Sequence, residues 1–185
     1  GILDVSRVWY LDDNRRLCAK VADKVKAEMR LFSRTLEKHW AGENILPQSQ
    51  PVMVELKGKL PGDGELLCID LYDTDRHTVT ICFDSTNKEM TVNYNRADRA
   101  SRYGIRTVPC EMMEKETDID ILIDGNTFTL LWEHGLYRYT GKLYPQGNIG
   151  VDIKYRAKRH YDITSLGEIL IDFTGKKESE RQTLS

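Results

Sequence analysis

Three carboxylates alternate with uncharged residues in Glu116-Thr117-Asp118-Ile119-Asp120. On an extended strand, alternation turns all three to one face, with neighbours about 6.5–7 Å apart along the backbone. Side chains at that spacing can close to the roughly 5–5.5 Å that separates the two carboxyls of a retaining glycosidase. Glu116 would then be the nucleophile and Asp120 the acid. In the competing arrangement, Ile119, Ile121 and Ile123 fill a core while the acids solvate the other face. That is the arrangement expected here, because no aromatic motif flanks the acids.

The other reactive residue types are scattered. His39, His77, His134 and His160 lack metal-ligand spacing, and there is no glycine-rich phosphate loop or nucleophile elbow. No metal and no cofactor are expected. Cys18, Cys68, Cys82 and Cys110 are widely spaced with no Cys-x-x-Cys, which removes zinc-ribbon and thioredoxin chemistry. Free buried thiols are the first expectation for them, and one or two disulfides the second. Lys154-Tyr155-Arg156-Ala157-Lys158-Arg159-His160 is one short basic run on a slightly acidic protein, read as a solvated strand and turn rather than a phosphate contact. Trp132, Tyr137, Tyr139 and Tyr144 offer ring faces on which a sugar could stack. Trp132 is in phase with Phe128 and Leu130, which favours the core for it.

The elements that must position these residues are strands. From Pro51 onward apolar residues recur with period two: Val52, Val54 and Leu56; Val79, Ile81 and Phe83; Met90, Val92 and Tyr94; Ile119, Ile121 and Ile123; Phe128, Leu130 and Trp132; Ile149, Val151, Ile153 and Tyr155; Ile169, Ile171 and Phe173. Turn residues separate them at Pro61–Gly64, Ser85–Asn87, Asp124–Asn126, Gly135 and Gln146–Asn148. Strands so spaced, with no helical segment between them, indicate a sandwich or barrel. Ahead of them, Val5–Leu11 and Arg16–Val21 read as two short strands around Asp12-Asp13-Asn14. Val25, Met29, Phe32 and Leu36 recur at helical spacing, so an amphipathic helix over Ala22–His39, or a short helix leading into the first strand, is expected.

The 185 residues are 40% apolar and 30% charged with net charge -2, enough chain for one cored domain and no gross field for nucleic acid or an anionic membrane. No apolar run approaches the roughly 20 residues needed to cross a bilayer.

Several stretches resemble the C-terminal sandwich of glycoside hydrolase family 32, the invertase, levanase and inulinase family. Asp118–Gly135 is similar to that family's strand, Asp-headed turn and second strand, and Leu136–Pro145 to the following strand that ends in Tyr-Pro. Phe83-Asp84 followed by Met90–Asn93 resembles its Tyr-Asp hairpin. Arg7–Leu17 is similar to the segment that closes the catalytic propeller and leads into the linker. Gly125-Asn126 and Thr129 depart from the pattern. The family's propeller signatures have no counterpart: no Asp-Pro and no Glu-Cys dipeptide occurs.

The resulting expectation is an all-β, antiparallel two-sheet sandwich of the concanavalin-like or jelly-roll type. A strand-and-helix linker over 1–40 precedes a sandwich over 41–174 and a tail over 175–185. The resemblance implies a non-catalytic accessory domain of a fructan- or sucrose-active hydrolase, serving packing, dimerisation or weak carbohydrate binding. Its partners would be a catalytic propeller or a second copy, met through the N-terminal segment, and possibly fructan or another polysaccharide. An exposed apolar patch is then expected near Val25, Met29 and Phe32, or its burial in a dimer. The alternatives are a sandwich-fold retaining glycosidase using Glu116, Asp118 and Asp120, and a free-standing lectin-like module using Trp132, Tyr137 or Tyr139. The compartment stays open, with extracellular or periplasmic ahead of cytoplasmic.

Overall fold

A computed structural model of the chain describes residues 7–36, 44–46, 51–62, 64–97, 104–110 and 116–158. Alternating apolar residues become strands because each strand has one face to bury. A five-stranded sheet is built from β3 (Arg30–Leu36), β5 (Val52–Lys59), β10 (Glu116–Asp124), β11 (Thr127–Trp132) and β12 (Tyr137–Lys142) in the order β12-β11-β10-β5-β3. A six-stranded sheet follows the order β4-β13-β6-β7-β8-β9. Its strands are β4 (Asn44–Leu46), β6 (Glu65–Tyr72), β7 (Thr78–Asp84), β8 (Glu89–Arg96), β9 (Ile105–Pro109) and β13 (Ile149–Ala157). Pairing is antiparallel throughout, except that β3 runs parallel to β5.

The period-two residues meet between the sheets. Val54, Leu56, Ile119, Ile121, Phe128, Leu130 and Trp132 from one face Leu67, Ile69, Ile81, Phe83, Val92 and Ile153 from the other. Phe83 and Trp132 join the layers edge to face at 5.6 Å. The hairpin at Asp124 is tight, with Asp124 opposite Thr127 and Gly125 at φ +53, a conformation that glycine adopts without the Cβ clash.

A second, smaller cluster lies outside the sandwich. β1 (Arg7–Leu11) and β2 (Leu17–Val21) form a separate hairpin, and α1 spans Asp23–Glu28. Ala19 and Val21 of the hairpin bury Met53, Leu122 and Leu131 on the outer face of the five-stranded sheet, with Val25 and Met29 packed at the margin.

Of the two forms expected over Ala22–His39, the structure has the short helix that leads into a strand, not the long one. The helix ends after Glu28, and Arg30–Leu36 is the edge strand beside β5. Phe32 and Leu36 are four residues apart and so share a strand face as readily as a helix stripe. They turn toward the main core, while Leu31, Ser33 and Thr35 turn outward.

The cysteines divide between the two expectations: Cys68 and Cys82 are disulfide-bonded, and Cys18 and Cys110 are free and buried. The pair stands directly opposite on β6 and β7, a relation that widely spaced cysteines do not disclose. The Ile169–Phe173 run, the tail over 175–185, His39 and His160 lie outside the described residues. Among the described residues no helix is long and apolar enough to span a membrane.

Candidate functional site

Three neighbouring strands present polar side chains on the outer face of the five-stranded sheet, and the register arranges them in rows. Ser33 of β3 faces Glu55 of β5, which faces Asp120 of β10. One step along, Thr35 faces Lys57, which faces Asp118. The next row on the other side is apolar, Leu31–Met53–Leu122, where Met53 and Leu122 join the small cluster flanked by α1. The β3 and β5 members of these rows, Ser33, Thr35, Glu55 and Lys57, line a shallow open groove of about 220 Å³.

The carboxylates of β10 therefore face outward, but they do not act as a trio. Glu116 is exposed at the strand's first position, opposite Lys59. Asp118 accepts a 2.8 Å hydrogen bond from the His134 amide and pairs with His134 Nδ1 at 3.2 Å. Asp120 is half-buried, with Glu55 as its cross-strand neighbour. Burial, then the negative charges of Glu55 and Asp118, push the Asp120 carboxyl up to about 6, with Lys26 and Lys57 pulling the other way. Burial would raise Glu55 too. Hydrogen bonds from Lys26 Nζ and from Ser33 Oγ (2.9 Å), with the Lys26 charge, outweigh it and hold Glu55 below the ordinary carboxylate range.

Glu55 was not singled out from sequence. Its place between Val54 and Leu56 marks it as outward-facing, but only the pairing of β5 with β10, more than 60 residues apart in sequence, brings it to Asp120.

The hairpin is held on the sheet by an unusual turn. Glu133, His134 and Gly135 have successive φ values of +51, +53 and +79. Left-handed backbone at two non-glycine residues in a row persists only where surroundings enforce it. Here Thr117 Oγ1 donates to the buried Glu133 carboxylate at 3.0 Å, Ala19 N–H donates to the Gly135 carbonyl at 2.9 Å, and Tyr10 OH donates to the His134 carbonyl at 2.5 Å. A Cβ on Gly135 would fall 1.7 Å from the Ala19 carbonyl oxygen, so only glycine fits.

The remaining candidates have structural work. Trp132 is fully buried and stacks on Tyr137 at 5.6 Å; Tyr139 contacts Phe128 and hydrogen-bonds the Tyr94 hydroxyl at 3.0 Å. Trp132 thus has no ring face open to a sugar, while Tyr137 and Tyr139 are partly exposed.

The basic run neutralises buried acids. Lys154 Nζ lies 2.6 Å and Arg156 Nη2 2.9 Å from Asp70, and Lys158 Nζ lies 2.8 Å from Asp84. His77 Nδ1 meets Asp73 at 2.9 Å. Burial pushes the Cys110 thiol up to about 11, leaving it protonated and unreactive at neutral pH. Among the described residues no group of three or more His, Cys, Asp or Glu is set to hold a metal ion.

No protein-family model matches the sequence, and no curated protein matches it. Solved structures match the fold. A GH32 β-fructofuranosidase of Bombyx mori in complex with sucrose has 14% identity and a TM-score of 0.53, covering 82% of this chain and 30% of its own. An exo-inulinase from Aspergillus awamori has 9% identity and a TM-score of 0.53 over 82% and 34%. Fructan 1-exohydrolase IIa from Cichorium intybus has 13% identity and a TM-score of 0.53 over 80% and 39%. The chain thus spans about a third of the length of the structures it matches. By fold, it is a β-sandwich of the kind carried by glycoside hydrolase family 32 enzymes.

Proposed function

We propose that this chain is a non-catalytic accessory sandwich of a fructan- or sucrose-active glycoside hydrolase, and that it packs against the catalytic partner through its N-terminal hairpin. The observation that carries this reading is the apolar surface of β1 and β2. Val8, Trp9, Leu11 and Leu17 are 43%, 46%, 64% and 58% exposed. Leu11 stands opposite Leu17 and Trp9 opposite Ala19, so Trp9, Leu11 and Leu17 share the hairpin face by which Ala19 and Val21 rest on the five-stranded sheet, and they are left only partly covered there. Arg138 lies over the Trp9 ring at 4.2 Å and fixes its orientation. The patch sits on β1 and β2 rather than at Val25, Met29 and Phe32, all of which are partly buried. A rigidly anchored hairpin carrying large exposed apolar side chains suits a docking surface better than a solvated edge.

Hydrolysis by this chain alone has less support. Of the four carboxylates on the outer face, Glu55 is engaged by Lys26 and Ser33, Asp118 by His134, and Glu116 lies at the strand end. The purified chain incubated with sucrose, inulin and levan is expected to release no reducing sugar. Release that disappears in Asp120→Asn would replace the accessory reading with a hydrolase.

A further inference from the structure

We infer that the Cys68–Cys82 bond is a thiol–disulfide exchange site, opened by a dithiol reductant whose thiolate attacks the Cys82 sulfur. The two cysteines stand directly opposite on β6 and β7. The rungs on either side, Leu67 with Phe83 and Ile69 with Ile81, fill the main core, so alternation turns both sulfurs to the outer face of the six-stranded sheet. The bond therefore lies at the surface of the sandwich, where a second molecule can reach it.

The two sulfurs differ in access and in charge. Cys82 is partly exposed, whereas Cys68 is fully covered. The register supplies the cover. Lys154 of β13 stands opposite Cys68, and Arg156 stands opposite Leu66. Arg156 Nη2 nevertheless reaches Asp70 at 2.9 Å, so its side chain passes over the row that holds Cys68. Asp70 anchors both cations beside that sulfur. A neighbouring cation favours a thiolate, and a stabilised thiolate leaves faster, so Cys68 is the leaving group and Cys82 the sulfur attacked. In-line attack on Cys82 comes from the side away from Cys68, where the facing residue of β8 is the small, partly exposed Thr91.

In the first step the reductant thiolate bonds to Cys82 Sγ, the Sγ–Sγ bond breaks, and its electron pair departs on Cys68, which takes up a proton. The reductant's second thiolate then attacks its own sulfur in the mixed disulfide. Cys82 leaves as a thiolate and is protonated, so two electrons have passed to the protein and the reductant ends as a disulfide. The strands stay in place, because β6 remains paired with β13 and β7 with β8. Cys18 and Cys110 are buried and do not compete.

The exchange site lies on the other sheet from the hairpin, so its test is independent of the docking role. The full oxidised chain is treated without denaturant with dithiothreitol, or with a Cys-x-x-Cys protein dithiol, and free thiols are trapped with maleimide and mapped by peptide mass. Cys68 and Cys82 are expected to open together, within about tenfold of the rate in urea, with an unchanged far-UV spectrum. Opening by the protein dithiol at the lower concentration identifies a protein as the reductant, and the reverse identifies a small dithiol. Glutathione, a monothiol, is expected to leave its adduct on Cys82 and a free thiol on Cys68. Lys154→Met is expected to slow opening at least threefold, and Lys154→Arg to restore it. A bond that opens only in urea would overturn the assignment, as would an adduct found on Cys68 or a Lys154→Met chain that opens at the original rate.

Discussion

The Asp120 carboxyl is the residue at which cost is concentrated. Its folded value is raised to about 6 from 3.8, so the folded chain binds its proton more tightly than the unfolded chain does. The cost of ionising it is absent below about pH 4, grows as pH rises toward 6, and is complete at neutrality. Asp120→Asn is therefore expected to stabilise the fold at pH 7 by about 1–2 kcal/mol, less than the full shift implies because the side chain is only partly buried. Urea unfolding of both proteins at pH 7 and pH 3.5 checks this, with the difference vanishing at the lower pH.

Asp70 has the opposite sign. Burial would raise it, but Lys154, Thr80 and Arg156 hold it below the usual range, so its contribution is present at neutrality and lost as pH falls below about 4. Asp70→Ala leaves two cations around a buried site and is expected to cost about 2–4 kcal/mol in the same assay. The outward turn of Asp118 and Asp120 was legible from alternation with Ile119 and Ile121. The partners were not, because Asp70 with Lys154 and Asp120 with Glu55 meet only through cross-strand register.

Among the elements, the strands from Val52 onward were legible because each buries one face and alternates cleanly. β6 was less so. Leu67, Ile69 and Leu71 face the core, but the other face carries apolar Leu66 and disulfide-bonded Cys68 before Asp70, so the alternation is hard to read. β3 was ambiguous because Phe32 and Leu36 satisfy both periods, and its parallel pairing with β5 rests on contacts 22 residues away.

Two predictions belong at this scale. Gly135→Ala forces a Cβ into the Ala19 carbonyl at a left-handed position, and a cost above about 1 kcal/mol is expected. Faster amide exchange at Ala19 and across β2 would show that the hairpin has come loose. Reducing Cys68–Cys82, separated by 14 residues, is expected to lower unfolding stability by about 3 kcal/mol from loop closure. Urea titrations with and without reductant give that value directly.

Taken as a whole, the molecule is a two-layer sandwich with an appendage. The layers supply stability through a core in which Phe83 and Trp132 interlock, and the outer face of the five-stranded sheet carries both the hairpin and the polar rows. An exposed apolar patch was expected near Val25, Met29 and Phe32, and those three residues are partly buried. Val25 and Met29 pack on Met53, Leu122 and Leu131, while Trp9, Leu11 and Leu17, on the sheet-facing side of the hairpin, keep 46%, 64% and 58% of their surface exposed.

The central claim is that this hairpin face docks on a catalytic partner. Sedimentation velocity of the chain mixed with the catalytic propeller of a fructan-active family 32 enzyme, prepared without its own sandwich, tests it most directly. The account predicts a complex that Leu11→Glu with Leu17→Glu abolishes. Separate sedimentation of the two proteins at all concentrations, or a complex indifferent to those substitutions, would contradict it.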